Sequence, residues 1–547
     1  MEIQTLHKIE NKILKKSGID FIRIGFALFF VIGVLTYTFV HNDGISNNLF
    51  LAVAALIGAY MAMNIGANDV ANNVGPAVGS KAITMGGAII LAAVFEASGA
   101  LIAGGEVVKT IKKGIIDIAA FGGNPDPFIW AMMAALLAAA LWLNFATAMK
   151  APVSTTHSIV GGVMGAGIAA AGFSIVSWAT MAKIAASWVI SPLLGGIIAA
   201  AFLYAIKKSI LFQEDKISAA KKYVPIFVAL MSWAFVTYLV LKGLKKIWPS
   251  VVEFLNALPL ITLEVTKKPS FLTALIIGAI VALVIYLLLR SKYHYKTELH
   301  NSKKAVNALF NIPLIFAAAL LSFAHGANDV ANAIGPLAAI NDAIINGGIS
   351  SKASIPLWVM GVGALGIALG LGLYGPKLIR TVGSEITELD QVRAFSIAMA
   401  ASITVIIASQ LGLPVSSTHI AIGGVFGVGF LREYLQNSKP KETIAVDKEF
   451  IANEKSTLET LKDELKSYKK KDEKSLEDYK KIVELYQKIE KEEKLIKAAK
   501  KQIKRVEKIE YVKRDAIKKI VAAWIITVPA AAILSAVLFF TIRGIML

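Results

Sequence analysis

Two aspartates lie within apolar stretches long enough to cross a bilayer, and both have the same neighbours. The run Gly66-Ala-Asn-Asp-Val-Ala-Asn-Asn-Val-Gly-Pro76 returns 260 positions later as Gly326-Ala-Asn-Asp-Val-Ala-Asn-Ala-Ile-Gly-Pro336. A carboxylate in hydrocarbon costs several kcal/mol even on lenient scales, so Asp69 and Asp329 must be satisfied by something held beside them. Asn68 and Asn72, with their copies Asn328 and Asn332, bring amide groups to the same places. The Gly-Pro pairs interrupt helical hydrogen bonding and free backbone groups for an ion or a substrate. Gly75-Pro76 and Gly335-Pro336 are expected to end the two helices.

A second duplicated run carries donors. Ala151-Pro-Val-Ser-Thr-Thr-His-Ser-Ile-Val-Gly-Gly162 is echoed by Leu413-Pro-Val-Ser-Ser-Thr-His-Ile-Ala-Ile-Gly-Gly424, at an offset of 262. Two motifs at nearly one offset mean that the whole unit is duplicated. Each hydroxyl triplet (Ser154, Thr155, Thr156 and Ser416, Ser417, Thr418) follows a proline, Pro152 or Pro414, where a helix can begin. A helix start leaves N–H groups unpaired and a positive dipole end, which suits an oxyanion. Interrupted helices at matching points of two halves mark the central site of a secondary transporter.

The elements that position these residues are membrane helices. The chain has 547 residues, 56% of them apolar and only 17% charged. Residues 431–519 hold 26 Lys/Arg and 19 Asp/Glu, nearly half of all charges, so the remainder is more apolar still. The net charge of +19 comes from membrane-flanking loops and this mixed segment, which argues against nucleic acid as a partner. Cysteine is absent, which excludes disulfides. Apolar spans fall at about 24–40, 49–78, 86–105, 128–149, 158–173, 178–206, 223–244, 270–290, 308–340, 354–375, 394–411, 418–430 and 517–541. The expected fold is an all-α polytopic membrane protein with about 12–13 transmembrane helices. The short, glycine-rich spans at 158–173 and 418–430 either cross or return as re-entrant hairpins. Lys8, Lys12, Lys15, Lys16 and Arg23 precede the first span and place the N-terminus in the cytoplasm. If both short spans cross, seven crossings separate the two aspartate motifs and the repeats are inverted, a count that most of the loop charge favours. Lys245, Lys246, Lys267 and Lys268 run against this count.

Both motifs, in this order and twice over, resemble the inorganic phosphate transporter family across roughly residues 49–206, 306–430 and the final helix. The resemblance implies a symporter, not an enzyme, that moves inorganic phosphate on a cation gradient through inverted repeats in the cell membrane. Phosphate leaves water only if donors replace it, and the six hydroxyls at two helix starts can serve as its binding groups. Asp69 and Asp329 would repel it unless cations sit beside them. Asn68, Asp69, Asn72, Asn328, Asp329 and Asn332 are therefore assigned to a hard cation, Na⁺ first. H⁺ in its place, a metal–phosphate substrate, and sulfate carried by the same fold are the alternatives, and no organic cofactor is expected. Glu96, His157 and His419 are accessory candidates; His325, which stands where the first copy has Ile65, receives no role.

Six segments follow: an N-terminal tail and anchor helix (1–48), repeat 1 (49–206), linking helices (207–305), repeat 2 (306–430), a charged insertion (431–515) and a final helix (516–547). The insertion has no proline between Pro440 and Pro529 and no glycine between Gly429 and Gly544. Leu458, Leu461, Leu465 and Tyr468 make a 3-4-3 seam, and Ile489, Ile496 and Ile503 repeat at seven. These imply a soluble helical hairpin or coiled coil, cytoplasmic by its basic flanks, with Asp472 or Ser475 capping its second helix. An apolar seam of this kind also allows a homodimer.

Overall fold

The computed structural model describes residues 2–45, 47–121, 124–149, 153–245, 247–257, 266–294, 299–346, 355–384, 389–436, 438–471, 475–507 and 514–547. Pro152, Lys246 and Asp472 lie outside these. Nineteen α-helices account for nearly everything, and no strand occurs among the described residues. They begin with α1 (Glu2–His41), α2 (Asn48–Asn68), α3 (Val70–Gly79), α4 (Met85–Ala103), α5 (Gly105–Lys113), α6 (Asp126–Ala148), α7 (Thr155–Ala171) and α8 (Trp178–Ile206). The middle of the chain supplies α9 (Lys216–Lys242), α10 (Trp248–Asn256), α11 (Phe271–His294) and α12 (Lys303–Leu309). The second half has α13 (Asn311–Ile345), α14 (Leu357–Ser384), α15 (Gln391–Gln410), α16 (Ser417–Gln436), α17 (Ser438–Lys469), α18 (Leu476–Glu507) and α19 (Arg514–Met546).

Eleven helical stretches among the described residues are long and apolar enough to span a membrane. Burial sorts them. In the most apolar window of α13, 89% is buried, against 11% for α1 and for α11, whose side chains face outward where lipid would lie. The expected spans at 158–173 and 418–430 are not among the eleven. Their helices α7 and α16 begin beside Asp69 and Asp329, and Asp329 stands near the middle of α13. The pairs α6–α7 and α15–α16 therefore turn back with their tips inside the helix assembly, the re-entrant alternative, and the seven-crossing count, which needs both spans to cross, does not hold.

The Gly-Pro pairs do not end their helices. α3 continues through Pro76 to Gly79, and α13 continues through Pro336 to Ile345. Neighbouring helices cover these turns, and a proline within such packing removes one bond without stopping the helix. The break in the first copy falls at Asp69, where Asn72 N–H bonds Asp69 O three residues back at 3.0 Å. Proline still has a consequence, because Pro76 and Pro336 have no N–H to offer the carbonyls of Asn72 and Asn332 four residues earlier.

The repeats exchange partners. A Cβ on Gly66 (α2) would stand 1.9 Å from Ile367 O in α14, and one on Gly326 (α13) would stand 2.1 Å from Glu96 O in α4. Each aspartate-bearing helix thus packs backbone to backbone on a helix of the other half. The tip helices behave alike: Gly165 of α7 lies against Ala532 of α19, and Gly427 of α16 lies against Gly196 of α8.

The chain divides into two compact units, residues 1–428 with 514–547, and residues 429–513. The second is a helical hairpin. Leu465, Leu485 and Ile489 form its core, flanked by Leu458, Leu461, Tyr468 and Ile482, so the 3-4-3 seam is the buried face. Ser475 starts α18 by a reciprocal cap. Its Oγ accepts from Asp478 N–H at 3.2 Å, and Asp478 Oδ2 accepts from Ser475 N–H at 2.9 Å. The Lys471 ammonium, followed by the Ser475 donors, pulls the Asp478 carboxyl down to about 2.

Candidate functional site

Both tips begin with a serine cap. Ser154 Oγ accepts from His157 N–H at 3.1 Å, and Ser416 Oγ accepts from His419 N–H at 3.2 Å. These two hydroxyl oxygens serve their own helices. The next residues reach the carboxylates: Thr155 donates to Asp69 Oδ2 at 2.7 Å, and its copy Ser417 donates to Asp329 Oδ2 at 3.1 Å. Thr418 crosses to the other half and donates to Asp69 Oδ1 at 3.0 Å. The amides close the web in the same crossed sense. Asn72 donates to Thr418 Oγ1 at 2.8 Å, while Asn332 donates to Thr155 Oγ1 at 3.0 Å and Thr156 Oγ1 at 3.1 Å. Thr156 itself donates to Val415 O at 2.9 Å and so ties one tip to the other.

The structure thus brings together Asp69, Asn72, Asp329, Asn332 and both triplets, all buried. The residues assigned to a cation and those assigned to an anion do not form two separate pockets; they form one alternating web. Asn68 and Asn328 sit at its edge. They donate to Thr147 Oγ1 at 2.9 Å and Ser409 Oγ at 3.0 Å, a pair that keeps the 262-residue offset. Asp329 Oδ1 and the amide oxygens of Asn72, Asn328 and Asn332 are buried and accept no hydrogen bond among the described residues. Such acceptor-only oxygens are what a hard cation takes.

The duplication breaks at one place. His325, in α13, puts Nε2 2.9 Å from Asp329 Oδ2 and Nδ1 2.7 Å from Glu96 Oε2, while Asn73 donates to Glu96 Oε1 at 2.7 Å. At the equivalent points of the other half stand Ile65 and Ala333, and Ile367 takes the place of Glu96 against its glycine. A polar triad on one side therefore corresponds to an apolar one on the other. Sequence reading named Glu96 as accessory but left His325 and Asn73 without a role. Their signal was the break in the copy itself, together with the four-residue step from His325 to Asp329 that places both on one helix face. Single ligand atoms of Asp69, His325 and Asp329 lie within 4.8 Å of one another, a grouping that could hold a metal ion.

His157 and His419 have a different setting. Their rings meet edge to face at 4.4 Å, with Trp188 packed on His157 at 3.8 Å and Trp524 on His419 at 3.6 Å. They form an aromatic block between the tips. Their backbone N–H groups make the caps, and their rings pack on tryptophan.

A web of this kind, with buried acids, amides and hydroxyls but no Lys or Arg among its described members, suits a cation and an oxyanion taken together. Comparison with known proteins agrees. A model of the phosphate transporter family matches residues 65–535. A Helicobacter pylori protein designated "Putative phosphate permease" is 51% identical over 544 residues, 98% of each chain. A Pyrococcus abyssi protein of the same designation is 37% identical over 383 residues, 70% of this chain and 89% of the relative. A solved structure titled "The sodium-dependent phosphate transporter" superposes with a TM-score of 0.66 at 29% identity, covering 91% of this chain and 99% of that one.

Proposed function

This chain belongs to the phosphate transporter family, a multi-pass membrane family whose business is transport and not enzymatic catalysis, and from that premise we propose that it imports inorganic phosphate by symport with a cation, Na⁺ foremost. One observation carries the coupling. Thr155 and Thr418, the best-placed donors for a phosphate, both donate to Asp69. A cation at Asp69 and Asp329 takes over those negative charges, and the two hydroxyls can then turn to an oxyanion. Without the cation, the same hydroxyls stay committed to the carboxylate, which also repels phosphate. Each ligand thus raises the affinity for the other, and this reciprocity is the thermodynamic content of symport. Asp69, Asp329 and the amide oxygens of Asn72, Asn328 and Asn332 hold the cation in this reading. Thr155, Thr156, Ser417 and Thr418 hold phosphate, with the capped helix starts at Ser154 and Ser416 supplying dipole and N–H groups.

The relative's printed title supports Na⁺. A second reading, H⁺ coupling, is favoured by the Glu96–His325–Asp329 chain, in which one imidazole bridges two carboxylates at 2.7 and 2.9 Å. Uptake of labelled phosphate into proteoliposomes separates the two. A Na⁺ gradient at equal pH should drive accumulation, a pH gradient in Na⁺-free buffer should not, and excess sulfate should compete weakly. Accumulation on the pH gradient alone would replace Na⁺ by H⁺, and accumulation of sulfate in preference to phosphate would overturn the substrate.

A further inference from the structure

A recess of about 240 Å³ opens on the outer side of the helix assembly, where α9, α11 and α13 meet. It shares no residue with the central web. Its floor is Val228 and Met231 from the middle of α9, only 6% and 4% exposed. Its rim is Leu288 near the end of α11 and Phe316 in the second turn of α13, 65% and 58% exposed. The single hydroxyl in the wall, that of Ser232, donates to Val228 O at 2.9 Å. The recess therefore offers a ligand apolar side chains and no free donor.

Its depth and its mouth both point to one kind of ligand. All three helices are long and apolar enough to span the membrane. The middle of α9 thus lies at hydrocarbon depth, while the span of α11 ends at Lys292 and that of α13 begins at Asn311. The recess brings that end and that beginning together, so it runs from one membrane boundary inward. Along α11, Ile285, Leu288 and Leu289 line it at i, i+3 and i+4, and the next residue on that face, at i+7, is Lys292. Lys292 is exposed and makes no ion pair among the described residues. Arg290, one position past Leu289, donates to the neutral Tyr286 hydroxyl at 3.3 Å and keeps its charge uncompensated there. Long cationic side chains at the end of a span reach out to the headgroup level.

We propose that this recess is a binding site for an anionic phospholipid, with one acyl chain against Val228 and Met231 and the headgroup at Lys292 and Arg290. A zwitterionic lipid brings the same chain, but its ammonium offsets its phosphate, so the two cations select for net negative charge. The site concerns the bilayer around the protein and not its cargo, and it stands whatever solute the central web carries.

The test offers the full chain, purified in detergent, equal amounts of phosphatidylglycerol and phosphatidylcholine, and counts retained lipids by native mass spectrometry. The parent should retain phosphatidylglycerol on the order of 10-fold over phosphatidylcholine, from two cations near a headgroup. Lys292→Gln with Arg290→Gln should bring the two lipids near parity. Ser232→Trp fills the recess, leaves both cations in place and should lower retention of both lipids; Ile285→Trp fills it from α11 and carries the same test should the first variant not fold. Lys267→Gln with Lys268→Gln removes two exposed cations before the start of α11 and should keep the parent's preference. Equal loss of preference in that control would make the effect one of overall charge and overturn the site. A parent without preference, or filled variants that retain lipid as the parent does, would overturn it too. A parent that is dimeric and lipid-free, and becomes monomeric when the recess is filled, would give the recess to a second copy of the chain instead.

Discussion

Asp69 and Asp329 are copies in sequence but not in surroundings. Asp69 takes both of its hydrogen bonds from threonine hydroxyls, one from each half, whereas Asp329 takes one from Ser417 and faces His325. If both carboxylates hold the coupling cation, Asp69→Asn or Asp329→Asn should abolish cation-driven uptake while the protein still inserts, and near-normal uptake by either variant would end that assignment. The hydroxyls divide by role in a way their triplets conceal. Ser154 and Ser416 are caps, so alanine there should cost about 1 kcal/mol of helix stability and lower the yield of folded protein. Thr155→Val and Thr418→Val remove donors aimed at Asp69. Each should raise the half-saturating concentration of phosphate by about 10- to 150-fold, the equivalent of one charge-assisted hydrogen bond. Na⁺ half-saturation should rise in the same variants, because the coupling is reciprocal. Concentration curves for both solutes check this; unchanged curves for both variants would place the anion elsewhere.

At the scale of helices, the site depends on two close crossings between halves. Gly326 lies against the backbone of Glu96 itself, so α4 and α13 can approach only where no side chain intervenes. Gly326→Ala should force the helices apart at an overpacking cost of about 1–3 kcal/mol. It should also draw Glu96 away from His325, which now stands 2.7 Å from it. The expected result is a protein that inserts but transports far more slowly, read by uptake together with a surface-accessibility assay. Gly361, which meets nothing within 4 Å, should accept alanine with little effect and serves as the control. Equal activity in the two variants would show that the crossing does not position the acid.

Across the whole molecule, the hairpin of α17 and α18 forms its own compact unit and contributes none of the web's residues. Replacing residues 440–512 with a short Gly/Ser linker should therefore leave cation-driven phosphate uptake measurable. Oligomeric state is what such a deletion should change, since α18 also exposes Leu476, Tyr479, Val483 and Tyr486 at 3-4-3 spacing. Two results would count against this: a properly inserted deletion variant without any transport, or a cysteine at Ser475 that is labelled from outside intact cells.

The sequence by itself determined that the chain is a helical membrane protein, that its two motifs are duplicated, and that two aspartates and two hydroxyl triplets are the candidates for its chemistry. Those conclusions needed only composition, spacing and the cost of a carboxylate in hydrocarbon. The seam of the insertion was legible for the same reason, because a heptad is a local pattern. Only the tertiary structure decided which partner each group finds. The crossed bonds from Asn72 to Thr418 and from Asn332 to Thr155 join residues 346 and 177 positions apart. The continuation of both helices through Pro76 and Pro336 depends on neighbours that cover the weakened turn. His325 gained its place from Glu96, a residue on another helix brought close by a glycine crossing. A repeat read along the chain emphasises what is copied, while the fold sets each copy against the other half and gives the uncopied residues their partners.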